Sequence, residues 1–492
     1  MINSEAFEGM TDIELLAALE DLDESEQPPI LEIQRDRAYK SEKFAEAASL
    51  AFRISAIATS LKDDDLKASA LANEADALLA NDEYAEAAAK YEQAANLFKQ
   101  LGMQRRAAKL LYQKAKSLFN LDDEELTIAA ATEATEFALV EGEQGLAGRS
   151  LLIRAQSRYY LDKEKEAIED CNAAADNLKI AGLSDSVADA YEFLGRCLWF
   201  LGQHKDSMSY LQKSLVIYQT TLKQDLKSKI PEIQQKIALN LSALGRYEEA
   251  ISLLEKAIEA FQGLGIIDWI AICELDIGDA LQQIGQDDQA IDRLFKAETL
   301  AESVGDRERA GRALHYRAIS LHTKEKYEDA LDLNRRLMAS AKSDDEDAIK
   351  QMSYVGFVRM LGDLIALKRY EEVVNCYLNP ISWPDFVPPE EELLSAKSRY
   401  CFALFRLDHK EEALKIANAG IAEANSKLWR VDLAKFFEVR GLLTRSTHER
   451  QSDQDLANAI ALYLAAGRFE SANSLAEYFL PKFSEHRDTK SI

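Results

Sequence analysis

Proline is scarce in this chain. Its 492 residues include 8 prolines and 20 glycines. Alanine, leucine, glutamate and lysine abound, and that composition favours helix. The hydrophobic share of 47% is too high for a disordered chain. Cysteine is also rare. Cys171, Cys197, Cys273, Cys376 and Cys401 are odd in number, scattered, and never spaced CxxC. Disulfide frameworks and zinc sites need paired or clustered cysteines, so reduced cytosolic thiols are the reading, with Cys171 and Cys401 at small core positions.

Basic residues are outnumbered, 59 against 85 acidic, for a net charge of -26. An acidic surface repels phosphate backbones, so general nucleic-acid binding is not expected. Residues 1–27 lack the basic start and apolar run of a secretory signal. No uninterrupted apolar run of about 18 residues is visible, so no membrane span is expected and the chain is placed in the cytoplasm.

Catalytic signatures are missing too. The sequence has no Walker-type glycine loop, GxGxxG, HExxH or GxSxG. His315 and His322 are seven apart on one predicted helix, but two histidines without a third ligand make a poor metal site; they read as groove-lining polar groups. The acidic runs at 63–65, 344–347 and 390–392 lack the glycine and spacing of a calcium loop and read as solvated helix-start charge. A non-enzymatic chain without metal or cofactor is expected.

What is present is one repeating stretch. Leu244-Gly245-Arg246-Tyr247-Glu248-Glu249-Ala250 has its counterparts in Asn81-Asp82-Glu83-Tyr84-Ala85-Glu86-Ala87 and in Lys326-Tyr327-Glu328-Asp329-Ala330. Each copy is a stop, an aromatic, acidic residues and a small residue, which predicts the hinge of a helix hairpin. The residue ending each copy falls at Ala47, Ala87, Thr127, Ala167, Ser207, Ala250, Ala290, Ala330, Val373 and Ala413, in steps of 40 or 43. Three-residue insertions near 223–231 and 343–350 explain the long steps. A second register lies twelve residues earlier: Arg35, Ala75, Ala115, Ala155, Gly195, Ala238, Gly278, Ala318, Leu361 and Cys401. Small residues on both helices let two backbones approach closely. Single hairpins cannot bury both apolar faces, so neighbours must stack.

The copies Tyr191-x-x-Leu194-Gly195-x-x-Leu198 with Ser207, Leu211 and Ser214, and Leu241 with Tyr247, Ala250, Leu254 and Ala257, resemble the tetratricopeptide-repeat superfamily. The usual repeat there has 34 residues and a proline near its end. This chain has 40 and mostly lacks that proline, so it is similar to the long-repeat members: spindle-orientation adaptors, kinesin light chains and bacterial peptide-sensing regulators. The resemblance implies an all-α, right-handed superhelical solenoid of about ten helix-turn-helix repeats with terminal capping helices. The expected domains are an acidic N-terminal segment (1–28), repeats 1–9 (29–380), a Pro-rich connector (381–389), and repeat 10 with capping helices (390–492).

Two segments have two readings each. Residues 11–22 predict a short helix, either a cap on the first repeat or a self-ligand for the groove. The connector is either a plain joint or a docking loop around Trp383 and Phe386.

In the family, the first helix of each repeat lines a concave groove. Spacings of three and four put Lys109, Tyr112, Lys116 and Phe119 on one stripe, then Arg149, Leu152, Gln156, Tyr159 and Tyr160, then Asp189, Glu192, Arg196, Trp199 and Phe200. The same register gives Arg312, His315, Ile319 and His322. The candidate peptide-binding residues are thus Lys109, Tyr112, Lys116, Arg149, Gln156, Tyr159, Tyr160, Arg196, Trp199, Arg312 and His315. Basic groups interleaved with aromatics suit a protein or peptide partner carrying carboxylates. The competing reading makes Phe119 and Phe200 inter-repeat core and pairs the basic residues with acidic neighbours. Two functions follow: an interaction scaffold or adaptor, or a regulator in which a small peptide changes the solenoid pitch.

Overall fold

The computed structural model describes Phe7 and residues 9–221, 227–342, 347–382, 385–427 and 429–479. Among these there are 24 α-helices and no strand. The chain divides into two compact units, Met1–Gly245 and Arg246–Ile492.

In the first unit the helices run Asp12–Asp21, Pro28–Lys40, Phe44–Leu61, Asp64–Ala80, Tyr84–Gln100, Gln104–Phe119, Glu124–Val140, Gln144–Tyr160, Glu164–Ile180, Ser184–Phe200, His204–Thr220 and Lys229–Ala243. Most have 17 residues and are separated by three. Two such helices and two such turns account for the forty-residue period. The turns are nearly alike. In one, Glu83 N donates to Leu78 O (2.9 Å) and Asp82, at φ 61°, donates to Leu79 O (3.3 Å). This is the Schellman closure, and it needs a left-handed residue. Glycine holds that place at Gly202 (φ 72°) and Gly245 (φ 75°). Asp122 (φ 55°) and Asp162 (φ 55°) hold it elsewhere. The Asp122-Asp123 turn therefore keeps the common geometry despite its odd sequence. Asp123 also caps the next helix, accepting from Leu126 N at 3.1 Å.

Asp63 caps Asp64–Ala80 in the same way, accepting from Leu66 N at 3.0 Å. Most other turns have no side-chain cap. Asp63→Ala is expected to cost about 1 kcal/mol, read as faster amide exchange in residues 64–80. Unchanged exchange would show the cap to be idle.

All ten residues of the hinge register, from Ala47 to Ala413, have 0% exposure. The close approach is explicit at Gly195. A Cβ there would lie 2.8 Å from Leu211 Cγ, and Ser207 Oγ donates to Gly195 O at 2.7 Å. Arg35 departs from its small-residue register, and its guanidinium turns to Asp36 at 2.5 Å.

The Asp12–Asp21 helix carries a Thr11/Glu14 capping box. Its Leu15 is fully buried with Phe7 and Ile30, and Arg37 binds Asp12 at 2.8 Å and Met10 O at 2.6 Å. It packs on the first hairpin. The Phe44–Leu61 helix has a mean hydropathy of 1.2 over 18 residues, which is long and apolar enough for a span by composition. Glu46 and Arg53 interrupt it, so it is not an unbroken apolar run. Its Ala47, Ala51, Ile54 and Ala58 stripe is buried against the neighbouring helices.

In the second unit the helices are Tyr247–Leu264, Ile267–Gln283, Asp287–Ser303, Arg307–Thr323, Tyr327–Ser340, Asp347–Ala366, Tyr370–Leu378, Glu390–Arg406, Lys410–Lys427, Arg430–Thr444, Glu449–Ala465 and Phe469–Phe479. Tyr370–Leu378 has only 9 residues. It stops before Pro380, because the residue preceding a proline is pushed out of helical conformation. Phe386 and Ile381 pack on the core beside it. Trp383 and residues 344–346 lie outside the described residues, as does the polar tail at 484–492. The last full hairpin repeats the earlier build: Ser452 Oγ donates to Gly441 O at 2.7 Å, and a Cβ on Gly441 would meet Leu456 at 2.9 Å.

The five cysteines are free. Cys171 and Cys197 share a hydrogen bond in the first unit's core, which holds the Cys171 thiol well above its usual range, with burial adding to it.

Candidate peptide-binding face

Three first helices of the first unit, Gln104–Phe119, Gln144–Tyr160 and Ser184–Phe200, carry most of the candidate residues. Their small contact positions Ala115, Ala155 and Gly195 are buried, which fixes each helix's rotation.

Arg196 stacks on rings of its own helix and of Gln144–Tyr160. Its guanidinium lies over the ring of Phe193 at 4.3 Å and that of Tyr159 at 5.2 Å. Tyr159 meets Phe193 and Phe200 edge-on, each at 5.7 Å, and Tyr160 at 5.8 Å. Tyr160 in turn reaches Phe119 at 6.1 Å. Stacking of this kind holds a guanidinium in place while leaving its N–H fork open. Burial raises the Tyr159 hydroxyl above its usual range, with Arg196 opposing the rise. Tyr112 is likewise raised by burial, and Arg149 opposes that rise.

Tyr160, Phe200 and Trp199 remain 56%, 54% and 40% exposed. Phe200 is therefore surface and not inter-repeat core; Phe119 is half-buried against the Ala88, Ala115 and Leu118 cluster. Trp199 turns toward His204, with ring centroids 6.3 Å apart. Gln156 is half-buried, and Lys109 and Lys116 are exposed. Arg312 and His315 belong to the second unit. Arg312 is exposed, and His315 is half-buried with Nδ1 left without a partner.

Lys109, Lys116, Arg149 and Arg196 make no ion pair among the described residues. Several other cations of the unit are paired, Lys99 with Glu133, Lys114 with Glu92, Arg106 with Asp65, and Arg154 and Arg158 with Asp170, while others such as Lys67, Lys163 and Lys213 are not. Sequence reasoning did not single out Phe193, which lies under Arg196. The spacing 193/196 on one helix was the available signal.

The profile of the tetratricopeptide repeat family matches residues 230–303. Among solved structures, the apo form of RapI is similar over 74% of this chain and 99% of its own, at 16% identity and a TM-score of 0.50. With the forty-residue hairpins described above, the match shows tetratricopeptide repeats over residues 230–303, and the chain shares the helix-hairpin repeat fold. A signal-transduction ATPase with numerous domains and a tetratricopeptide repeat sensor, from Pyrococcus horikoshii, is similar over 78% of this chain and 54% of its own, at 13% identity and a TM-score of 0.51. No curated protein matches in sequence.

Proposed function

We propose that this tetratricopeptide-repeat protein is a non-enzymatic interaction scaffold whose first unit takes a carboxylate-bearing peptide. The observation that supports the reading is Arg196, stacked on Phe193 and Tyr159 with no ion pair among the described residues and with exposed Tyr160 and Phe200 on the same ring cluster, in a chain of net charge -26. An unpaired guanidinium stacked on rings is preorganised for a two-pronged bond to a carboxylate. Tyr160, Trp199 and Phe200 add rigid contact area.

The test is selection of displayed random peptides against the full chain. Recovered peptides should be enriched in Asp and Glu, and the variant Arg149→Glu/Arg196→Glu should bind them roughly ten-fold or more weakly. Peptides without acidic enrichment, or affinity untouched by the double reversal, would refute the assignment. The Pyrococcus protein's repeats are described as a sensor. The corresponding second reading is a regulator whose pitch changes with bound peptide. Solution scattering with the selected peptide separates the two: an altered profile favours the regulator, an unaltered one the scaffold.

A further inference from the structure

Two thiols of the first unit differ from the other three in having each other. Cys171 on Glu164–Ile180 and Cys197 on Ser184–Phe200 both have 0% exposure, and both belong to one core cluster with Ala155, Ala167, Phe193 and Leu198. Cys376 and Cys401 fall in two other clusters, each without a second cysteine.

The repeat itself brings the pair face to face. Cys171 stands four residues after the hinge residue Ala167, and Cys197 two residues after the next contact residue, Gly195. The same two places beside hinge Ala330 and contact Leu361 are held by Asn334 and Asp363. There the side chains touch: Asn334 Nδ2 donates to Asp363 Oδ2 at 2.7 Å. A second pair of places fixes the register between the two hairpin joints. Eight residues after the hinge and eight before the contact stand Ala175 and Val187 in one joint, Met338 and Ser353 in the other. Ala175 and Val187 share a core cluster, and Ser353 Oγ donates to Met338 O at 2.7 Å. Places that bring an amide and a carboxylate together in one joint therefore bring two thiols together in the other.

The two sulfurs are unequal. The hydrogen bond from Cys171 lowers the Cys197 thiol against its burial, and the neighbouring Arg196 lowers it further. The same bond raises Cys171. Burial raises Cys273, Cys376 and Cys401, and Cys401 Sγ donates to Ala413 O at 3.4 Å. Among the described residues no group of three His, Cys, Asp or Glu side chains is placed to hold a metal. Asp170, next to Cys171, is taken by Arg154 and Arg158.

We propose that Cys171 and Cys197 form a reversible oxidation site, at which a hydroperoxide converts the dithiol to a disulfide joining two consecutive repeats. The Cys197 sulfur attacks one peroxide oxygen. The O–O bond breaks, Cys197 becomes a sulfenic acid, and the other oxygen leaves as water or alcohol with the thiol proton. The Cys171 sulfur then attacks the sulfenic sulfur. The S–S bond forms, the S–O bond breaks, and the hydroxyl leaves as water with the Cys171 proton. The two thiols together lose two electrons, and the peroxide gains them. Both sulfurs are buried, so the oxidant meets them on local opening of the joint, which favours a small peroxide. The cluster also contains Tyr159 and Phe193, the rings beneath Arg196, so the disulfide would fix the joint under the candidate face. The oxidation site does not depend on that face binding a peptide.

The test exposes the reduced full chain to hydrogen peroxide, then blocks remaining thiols with N-ethylmaleimide in denaturant and maps the digest by mass. The expected product is a Cys171–Cys197 disulfide within one chain, reversed by dithiothreitol, with the equally buried Cys273 and Cys401 still carrying N-ethylmaleimide. Cys171→Ser should stop at a sulfenic acid on Cys197, captured by dimedone. Oxidation should slow amide exchange in residues 164–200 by roughly ten-fold or more, because the closed loop restrains the open state. Cys171→Ala/Cys197→Ala should show no such slowing. Alanine already holds the first place at Ala51, Ala131 and Ala417 and the second at Ala77, Ala280 and Ala403, so this variant should fold, which its exchange before oxidation reports. Pairing with another cysteine, linkage between chains, or a disulfide that forms only in denaturant overturns the site. Survival of both thiols in the folded chain overturns it too, as does their oxidation to sulfinic acid without an S–S bond.

Discussion

Asp170→Ala is expected to cost about 3–5 kcal/mol and to loosen the first unit locally. Asp170 is 3% exposed on Glu164–Ile180. It accepts from Arg154 Nε at 2.9 Å, Arg154 Nη2 at 2.6 Å and Arg158 Nη1 at 2.7 Å. Arg154 also donates to Thr132 Oγ1 at 3.0 Å, so one carboxylate ties three consecutive helices. Removing it strands two half-buried guanidiniums, and that penalty exceeds the worth of the pair itself. Asp170→Asn keeps the shape and one acceptor, and should recover only part of the loss. Stability in a repeat stack is a sum of local and nearest-neighbour contributions, so one melting midpoint is a poor gauge. Amide exchange in residues 124–180 is the direct measurement. It should accelerate there and remain as before beyond residue 229. Uniform or absent acceleration would show that Asp170 does not hold this region.

The same helix shows what the sequence could and could not convey. The hinge register was legible because it depends on local geometry: seventeen helical residues, three turn residues, and a small side chain wherever two backbones meet. Those requirements recur every forty residues whatever the partner. Arg154 and Arg149 illustrate the limit. They lie five apart on one helix, and one is clamped by Asp170 while the other is unpaired. That difference is set by a residue sixteen positions away on the next helix, and no spacing rule within a helix reveals it.

A second omission has a simpler cause. Phe193 stands two residues before the contact position Gly195. The stripe drawn through that helix ran through Glu192 and Arg196 and passed one place beside it. Tracing the neighbouring position would have found the floor under Arg196. Repeat architecture makes equivalent positions comparable, and function is read from where they differ.

Gly420→Ala is expected to destabilise the last part of the second unit, although alanine favours helix by about 1 kcal/mol over glycine. Gly420 lies on Lys410–Lys427, and an added Cβ would be 2.6 Å from Phe436 Cε1 and 2.5 Å from Cε2. Phe436 has 0% exposure, packed with Leu394, Cys401, Leu404 and Ala417, so its ring has no free space to enter. Overpacking of this kind costs about 1–3 kcal/mol, which outweighs the propensity gain. Gly263→Ala is the matched control. Gly263 also lies within a helix, Tyr247–Leu264, but a Cβ there meets nothing within 4 Å. It should stabilise by roughly 0.5–1 kcal/mol. The two substitutions are chemically identical and should have opposite signs in urea unfolding. A smaller ring site should reverse the first: in Phe436→Leu, Gly420→Ala should cost less, a coupling of about 0.5–3 kcal/mol in the double-mutant cycle. If both glycines responded alike, or if Phe436→Leu left the Gly420 cost intact, helix propensity and not the Gly420–Phe436 contact would govern this hairpin.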